Sequence, residues 1–403
     1  MFPATCEKVV FGGKGLLRQG RFVVFVDDVL PGEEITFEFT KKKKNYAEGK
    51  LCEVITPSPS RVAPKCPYFG VCGGCQLQHM AYAAQAQAKR EWVQEALTHR
   101  TGFRGPLTIV SAEKEWAYRQ KIVLHFQGDK ALGYFARDNR TLLDISYCPI
   151  FDEERTLFSK VKEFLKGVES DGALAVLKSK NGFLLRFSFP RDIPGSLRKK
   201  TIESVAFSLE NPREYITRGT LQEEVTVDGL KITMSPKVFI QNYPEQSLNI
   251  YRDVIAAATG DRVLDLYSGV GILSALLAKQ GKAVTGIEIN RDAVLLAEQN
   301  AHRNDLAHLR FICGPVEGKL TAEYGAFLTW IVNPPREGLS AAVLEKIIDF
   351  GPEKLIYISC NPMTLRRDVE LLTHKQYRIE QAKAYDMFPQ TTHVETVVSL
   401  TKK

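Results

Sequence analysis

One stretch of the chain decides the fold: RVLDLYSGVG, at residues 262–271. Its first half has the largely apolar character of a short buried strand. Gly269 and Gly271 then stand where the backbone must turn sharply beside a ligand. A helix is predicted to follow from Ile272 to Lys279. Strand, glycine turn and helix in this order indicate an α/β fold whose ligand lies at the carboxyl end of the strand.

The same alternation of short apolar strands and helical stretches continues toward the end of the chain. The predicted strands span residues 262–267, 283–289, 309–313, 328–332 and 354–359. Such alternation predicts a mostly parallel, doubly wound sheet with helices on both faces. The predicted fold class is therefore α/β, with a Rossmann-like domain over residues 236–403.

A carboxylate at the second strand defines the kind of cofactor. Glu288 follows the glycine turn by about twenty residues, where an acidic side chain can accept both hydroxyls of a ribose. A dinucleotide fold would carry a third glycine, but no glycine stands at position 274. A cofactor with a ribose and without a pyrophosphate fits better, and S-adenosylmethionine is the usual one.

The fourth strand ends in Asn333-Pro334-Pro335-Arg336, at the edge where doubly wound folds bind ligands. In methyltransferases, Asn-Pro-Pro followed by an aromatic residue often marks methylation of an amino group. An amino-group methyltransferase is therefore an alternative. Arg336 stands in place of the aromatic residue that would stack on such a target, and this counts against it.

The fifth strand delivers Cys360 to that same edge. A cysteine at a strand end is more often a small packing residue than a nucleophile. A second group changes this interpretation, because FPQTTHVE at residues 388–395 precedes a last apolar strand and would bring Glu395 to the same face. Cys360 and Glu395 are the predicted catalytic residues.

This pair matches the needs of one reaction, the methylation of uracil at carbon 5. That carbon attacks a methylsulfonium only after a nucleophile has added to carbon 6, which a thiolate can do. A carboxylate then removes the proton from carbon 5, and the thiol is expelled. We expect a neighbouring cation, Arg366 or the bound sulfonium, to favour the thiolate.

The amino-terminal part of the chain has a different character. Runs at 21–26 and 34–39, separated by a turn, predict a small antiparallel barrel that ends in the linker 56–60. A helix over 82–97 follows, and then a mixture of strands with a helix at 153–168. The predicted domains are a barrel at 1–58, a central α+β domain at 59–235 and the methyltransferase domain at 236–403, with 82–107 packing on the last.

Four cysteines of the central domain have the spacing of a metal site. Cys66, Cys72 and Cys75 are clustered, with glycines that let the backbone wrap a metal, and Cys148 is distant. Four thiolates indicate zinc or an iron–sulfur cluster, and their spacing does not separate the two. Cys6, Cys52 and Cys313 have no partners at ligand spacing, so we expect them to be inert.

The charge and the lack of long apolar runs narrow the setting. The net charge of +7 fits a polyanionic partner, although the run Lys41 to Lys44 fits a solvated hairpin tip as well as an RNA contact. No run of 18 apolar residues occurs, and the first residues lack the pattern of an export signal. We expect a cytoplasmic protein without membrane contact.

Nearly the whole chain resembles the bacterial RNA 5-methyluridine methyltransferases. The motifs that carry the resemblance are DLYSGVG, Glu288, NPPREG, SCNPMTLRRD around Cys360 and the terminal HVE. The resemblance implies Cys360 as nucleophile and Glu395 as general base. It also implies a set of residues that contact S-adenosylmethionine. With the glycine turn, this set is Gln241, Tyr267, Gly269, Glu288 and Asn333.

The resemblance also bears on the RNA target and the metal. The barrel is similar to a TRAM domain, which implies that Lys41 to Lys44 and Tyr46 face RNA. The members that act on ribosomal RNA carry a [4Fe–4S] cluster on this cysteine pattern, so we expect the cluster, with zinc as the alternative, and 23S ribosomal RNA as the substrate. The T-loop uridine of transfer RNA is the alternative target, and a noncatalytic RNA-binding protein is the third hypothesis. We expect a monomer that does not bind DNA.

Two positions depart from the family pattern. Asn333 stands where members usually carry aspartate, and Ile272 where they usually carry asparagine or threonine. One charge and one hydrogen bond to the cofactor are therefore in question. Tyr118-Arg119-Gln120-Lys121 resembles a motif of the family's central domain, whose basic residues would either meet phosphate or serve the structure.

Overall fold

The computed structural model describes residues 1–20, 22–151 and 156–403. Arg21, the first residue of a predicted strand, lies outside these ranges, as does Glu153, the predicted start of a helix. Within them the chain forms a barrel, a central sheet and a larger sheet flanked by helices. The larger sheet carries the predicted catalytic residues.

The amino-terminal barrel is closed in the strand order β1-β2-β3-β5-β4. Closure leaves no unpaired edge. Side chains of alternate residues point into a small apolar core that includes Leu17, Val24 and Phe37. The strands are β1 (Phe2–Val9), β2 (Gly15–Gln19), β3 (Phe22–Val26), β4 (Glu34–Lys42) and β5 (Tyr46–Thr56).

Helix α1 (Tyr82–Thr101) follows a loop that holds three of the clustered cysteines, and β6 (Thr108–Val110) comes after it. The helix ends at Gly102, whose φ of 75° is the left-handed conformation that glycine adopts without steric cost. Its buried positions include two long polar residues, Gln85 and Lys89, besides Trp92 and Val93.

The central sheet has six strands in the order β12-β11-β10-β9-β7-β8. Helix α2 covers it with Leu157, Phe158 and Val161, and a two-stranded hairpin of β13 and β14 follows. The elements are β7 (Lys121–Gln127), β8 (Ala131–Gly133), α2 (Thr156–Leu165), β9 (Asp171–Ser179), β10 (Gly182–Ser188), β11 (Ala206–Glu210), β12 (Tyr215–Arg218), β13 (Glu223–Val227) and β14 (Leu230–Met234).

The largest sheet has eight strands in the order β17-β16-β15-β18-β19-β21-β20-β6. Strands β15 to β19 are parallel, and β21 is antiparallel to both of its neighbours. The elements are α3 (Pro244–Ala257), β15 (Arg262–Leu266), α4 (Ile272–Lys279), β16 (Ala283–Glu288), α5 (Arg291–Arg303), β17 (Leu309–Cys313), α6 (Val316–Lys319), β18 (Thr329–Val332), α7 (Ala341–Phe350), β19 (Lys354–Ser359), α8 (Pro362–Lys375), β20 (Tyr377–Tyr385) and β21 (Glu395–Lys402).

The predicted doubly wound sheet is confirmed. Apolar side chains of α3, α4 and α5 pack on one face, among them Val254 and Leu277. Side chains of α1, α7 and α8 pack on the other, among them Val93 and Leu365. Both faces of the parallel strands are therefore covered, as all-parallel strands require.

Two elements of the predicted central domain, β6 and β14, contact the predicted methyltransferase domain. Strand β6 lies within 59–235 but pairs in parallel with β20 and so belongs to the large sheet. Hairpin strand β14 packs on α4 and α5. A three-residue strand and a hairpin acquire their neighbours from distant parts of the chain, which local pattern does not encode.

No helix in the described ranges has the length and apolar content needed to cross a membrane.

Candidate active site

The register of β19 and β21 brings Cys360 and Glu395 together. Ser359, the last residue of β19, is paired with Thr396 of β21. Cys360 follows Ser359, and Glu395 precedes Thr396 in the antiparallel direction, so the two residues stand side by side at the carboxyl edge. The negative charge of Glu395 acts on the Cys360 thiol and raises its pKa. The end of one strand and the start of an antiparallel strand therefore place a thiol and a carboxylate next to each other at the edge of the sheet.

The Glu395 side chain is buried and incompletely bonded. Its Oε2 atom has no hydrogen-bond partner among the described residues. Burial raises the pKa of this carboxyl to about 7, while the charge of Arg336 acts in the opposite direction. A carboxyl with a free oxygen and a pKa near neutrality is well matched to accept a proton from a substrate.

Arg336 is the cation beside Cys360. Burial and the charge of Glu395 raise the pKa of the Cys360 thiol to about 11, and Arg336 lowers it through its charge and a hydrogen bond. The structure corrects the expectation of Arg366 in this role. The neighbourhood as a whole also favours the neutral thiol, because burial and Glu395 outweigh Arg336.

Arg336 is in turn held by His393. Its Nη2 atom donates to Nε2 of His393 over 3.1 Å. Burial, and then the charge of Arg336, lower the pKa of the His393 imidazole to about 4. The ring is therefore neutral at ordinary pH and can accept this bond. No local pattern predicts this pair, because the two residues are 57 positions apart in the chain.

The glycine turn after β15 has the conformation of a ligand cradle. Tyr267 adopts a φ of 66°, which is rare for a residue with a side chain and is typical of functional turns. Gly269 has a φ of 57°, and a Cβ atom there would meet no neighbour within 4 Å. Ser268 Oγ is buried without a partner among the described residues. The turn thus combines open space with an unpaired polar atom.

Glu288 is fixed beside this turn. Its Oε2 accepts a bond of 2.9 Å from the Gly269 backbone N–H, and its Oε1 accepts one of 2.8 Å from that of Asn290. A carboxylate oxygen can accept a second bond. Glu288 therefore ties the turn to β16 and keeps lone pairs for the hydroxyls of a ribose. With the open turn, this arrangement fits S-adenosylmethionine.

Two other predicted cofactor residues, Asn333 and Gln241, are half-buried. Asn333 is half-buried, and its backbone N–H donates to the Leu266 carbonyl over 3.2 Å. Gln241 is half-buried in the segment before α3, and the next residue, Asn242, is bonded to Gln120 and Lys121 of the central domain. Ile272, which departs from the family pattern, packs partly buried against the core of the sheet.

A large open cavity adjoins the glycine turn. Its volume is about 970 Å³, and Tyr267 and Pro335 line it together with side chains of α7 and α8. Cys360 and Glu395 do not line it. The predicted catalytic residues therefore lie outside this cavity, at the strand edge itself.

All four predicted metal ligands line one small cavity of about 40 Å³. Its other walls are mainly aromatic and apolar, with Tyr68, Phe69, Tyr134 and Ile145. The four cysteines are Cys66, Cys72, Cys75 and Cys148. Cys148, which is distant in the chain from the other three cysteines, is thus brought to them by folding.

Burial raises the pKa of all four thiols. Burial raises the pKa of Cys75 to about 12 and that of Cys148 to about 11. Within the described ranges, no three histidine, cysteine, aspartate or glutamate side chains approach closely enough to hold a single metal ion. Four sulfur donors around one cavity are the donor set that zinc sites and iron–sulfur clusters share.

The motif at 118–121 joins the domains. The Tyr118 hydroxyl donates to the Pro389 carbonyl over 3.0 Å, and the Lys121 ammonium to the Val238 carbonyl over 2.6 Å. Arg119 lines the cysteine cavity and lies over the Phe388 ring at 5.8 Å. These contacts favour the structural interpretation of the motif over phosphate binding.

The basic run on the barrel is accessible. Lys41 to Lys44 are all exposed at the end of β4, and the Lys42 ammonium lies 4.1 Å from the centre of the Phe39 ring. Tyr46 is also exposed. Phe39 itself is half-buried against the barrel core. Cations together with aromatic side chains are the combination that binds single-stranded nucleic acid.

Comparison with protein families matches two parts of the chain. The model described as tRNA (Uracil-5-)-methyltransferase matches residues 317–403, which include Cys360 and Glu395. The model described as Methyltransferase small domain matches residues 229–356.

Relatives match over nearly the full length. An uncharacterized RNA methyltransferase of Protochlamydia amoebophila is 38% identical, over 98% of this chain and 96% of the relative. One of Halalkalibacterium halodurans is 30% identical, over 99% and 96%. The crystal structure of the tRNA (uracil-54, C5)-methyltransferase of Pyrococcus abyssi with S-adenosyl-L-homocysteine superposes with a TM-score of 0.80, at 26% identity over 99% of each chain.

Proposed function

Since this chain belongs to the S-adenosylmethionine-dependent RNA uracil-C5 methyltransferases, we propose that it methylates carbon 5 of a uridine through a covalent bond between Cys360 and the base. The observation that carries the proposal is the pairing of Ser359 with Thr396, which sets Cys360 beside Glu395. The same juxtaposition gives no reason for an amino-group target, and family membership excludes a protein that only binds RNA.

In the first step the Cys360 thiolate adds to carbon 6 of the uracil. The new bond is between sulfur and carbon 6, and the electron pair of the ring double bond moves into an enolate. Arg336 assists because its charge lowers the pKa of the thiol. S-adenosylmethionine, when bound, would supply the methyl group as a sulfonium. Carbon 5 takes up the methyl with the electron pair of the enolate, the bond between sulfur and methyl breaks, and neutral S-adenosylhomocysteine would leave.

In the second step Glu395 acts as the base. Its carboxylate accepts the proton from carbon 5, the electron pair restores the double bond between carbons 5 and 6, and the Cys360 thiolate leaves. The free Oε2 of Glu395 is available for this proton. Burial raises the pKa of the carboxyl to about 7, so it is a stronger base than an exposed glutamate.

The test is a Glu395→Gln variant incubated with substrate RNA and labelled cofactor. Elimination would stall, and a methylated RNA–protein adduct would survive denaturation. Cys360→Ala is the matched control and should form no adduct and no product. Retention of methyl transfer by Cys360→Ala would overturn the covalent mechanism.

We propose Gln241, Tyr267, Gly269, Glu288 and Asn333 as the cofactor-binding residues. The fixed carboxylate of Glu288 and the open space over Gly269 support this assignment. An amide at Asn333 keeps a hydrogen-bonding group where the family has a carboxylate, and the apolar packing of Ile272 leaves that position without one.

For the four-cysteine cavity we propose a [4Fe–4S] cluster of structural role, held by Cys66, Cys72, Cys75 and Cys148. The cavity's walls and its four sulfur donors support this. Anaerobically purified protein should contain iron and labile sulfide, and Cys75→Ser should lose both. Stoichiometric zinc without iron would establish the alternative.

The substrate proposed first is 23S ribosomal RNA, on the family pattern of barrel and cysteines. Transfer RNA is the second candidate, because the Pyrococcus abyssi protein that matches the whole chain is named for uridine 54 of tRNA. The barrel therefore does not separate the two. Mapping 5-methyluridine in both RNAs of a deletion strain, with and without the complementing gene, decides between them.

A further inference from the structure

The segment between β20 and β21 leads directly into Glu395 and is buried for most of its length. Asp386, Gln390, Thr391 and Thr392 are all buried. A connection between strands usually runs over the surface, where water satisfies its backbone. Here other parts of the chain must supply those hydrogen bonds.

Gln85 of α1 bonds the middle of this segment. Its Nε2 donates to Oε1 of Gln390 over 3.0 Å, and its Oε1 accepts from the Gln390 backbone N–H over 2.9 Å. The Gln390 carbonyl accepts bonds of 3.1 and 3.0 Å from the backbone N–H groups of Gln76 and Leu77. Gln390 has a φ of 71°, an unfavourable conformation for a residue with a side chain. The surrounding bonds fix it there.

Lys89, one turn further along α1, bonds the start of the segment. Its ammonium donates to Asp386 Oδ1 over 2.6 Å and to the Phe388 carbonyl over 2.9 Å. Both charged side chains are fully buried. A buried ion pair has a large desolvation cost and is therefore weak evidence of a purely stabilising role.

The Glu395 backbone is paired with Tyr385 of β20, and the segment closes the connection between these two residues. The Oε2 atom of Glu395 has no partner in the described ranges that would hold the side chain. Gln85 and Lys89 bond this connection at Asp386, Phe388 and Gln390, before the strand that carries Glu395 begins. A displacement of about 1 Å in a catalytic group can cost a large factor in rate.

We propose that Gln85 and Lys89 are positioning residues for the base: they hold residues 386–392 so that Glu395 reaches the proton on carbon 5. The inference rests on the proposed role of Glu395. It predicts a defect confined to the second step, because the attack of Cys360 and methyl uptake come before proton removal.

The experiment uses the full-length protein with substrate RNA and labelled cofactor in rapid-quench reactions. Adduct formation and product release are measured separately by denaturing gel. Gln85→Met should slow product release about tenfold or more, with adduct formation within a factor of three, so that adduct accumulates. Gln87→Met, an exposed glutamine on the same helix, is the matched control and should match the wild type.

The inference is overturned if Gln85→Met slows both steps in parallel, as a general loss of structure would, or if it releases product as fast as Gln87→Met. Lys89→Met should show the same selective defect as Gln85→Met. If Lys89→Met does not fold, Gln85→Met alone decides. A Glu395→Gln enzyme that leaves no adduct overturns the base assignment and this inference with it. A Glu395→Gln enzyme that accumulates adduct, together with normal product release by Gln85→Met, overturns only the positioning role.

Discussion

The Arg336 guanidinium donates to Nε2 of a neutral His393 and acts on both reacting groups, since its charge lowers the pKa of Cys360 and of Glu395. One cation, held by one imidazole, therefore influences the proposed nucleophile and the proposed base together. From the sequence, Arg336 was noted only because it replaces the aromatic residue that follows Asn-Pro-Pro in amino-group methyltransferases. Its contact with His393 was not predicted.

Replacing Arg336 should shift the pH dependence of the reaction upward. In Arg336→Met the pKa of both groups rises, so a smaller fraction of each is ionised at a given pH. We expect the rising limb of kcat/KM to move to higher pH, with a loss of about tenfold or more at neutral pH. Arg336→Lys keeps the charge, so its kcat/KM should rise at nearly the same pH as that of the wild type. Identical pH profiles for Arg336→Met and the wild type would contradict this role.

Replacing Glu395 should change stability as well as activity. Burial raises the pKa of its carboxyl above the ordinary value of 4.5 to about 7, so the folded protein holds this proton more tightly than the unfolded chain. Its contribution to stability is full below pH 4.5 and falls as the pH rises to about 7.

Glu395→Gln does not titrate and should therefore gain stability over the wild type across this range. The gain should be on the order of 3 kcal/mol above pH 7. Thermal unfolding at pH 4.5 and pH 8 measures it. A Tm difference that is equal at both pH values would show that the carboxyl is not buried in its charged form.

Glu288 should be needed for the cofactor and not for the RNA. Glu288→Gln loses the charge that binds the Gly269 and Asn290 N–H groups, and a charged hydrogen bond contributes roughly 1.5–3 kcal/mol. We expect S-adenosylhomocysteine to bind at least tenfold more weakly in calorimetry. Glu298→Gln, on the exposed face of α5, is the control. RNA affinity that falls as much as cofactor affinity would point to a general disturbance.

The buried pair of Lys89 and Asp386 should show strong coupling in stability. Lys89→Met leaves Asp386 charged and unpaired in the interior, which costs roughly 3–5 kcal/mol. The double variant Lys89→Met/Asp386→Leu removes both charges and should recover most of the unfolding free energy. Denaturant unfolding of the four proteins gives the coupling energy. Additive losses would mean that the pair is not desolvated.

The strand ends were predictable because they follow local patterns. Cys360 comes directly after a run of apolar residues, and Glu395 directly before one. Parallel strands end at a common edge, and an antiparallel strand inserted beside them begins there. Cys360 at the end of β19 and Glu395 at the start of β21 therefore share that edge. The open turn at Gly269 follows in the same way from its glycines.

The contacts between distant segments could not be read from the sequence. Arg336 and His393 meet through two loops whose direction no local pattern encodes. Gln85 and Lys89 are polar residues on a helix without a strong apolar face, so they look like solvent-facing positions. Strand β6, of three residues, is too short for its alternation to be recognised.

Strand β21 lies antiparallel between β19 and β20, so methyltransferase activity depends on the register in which these strands pair. Side chains alternate between the two faces of a sheet, so a slip of β21 by one residue would turn Glu395 to the opposite face. Such a misfolded chain would still contain every catalytic group and would lack activity. During refolding, the recovery of methylated RNA production would therefore show when this strand reaches its native register.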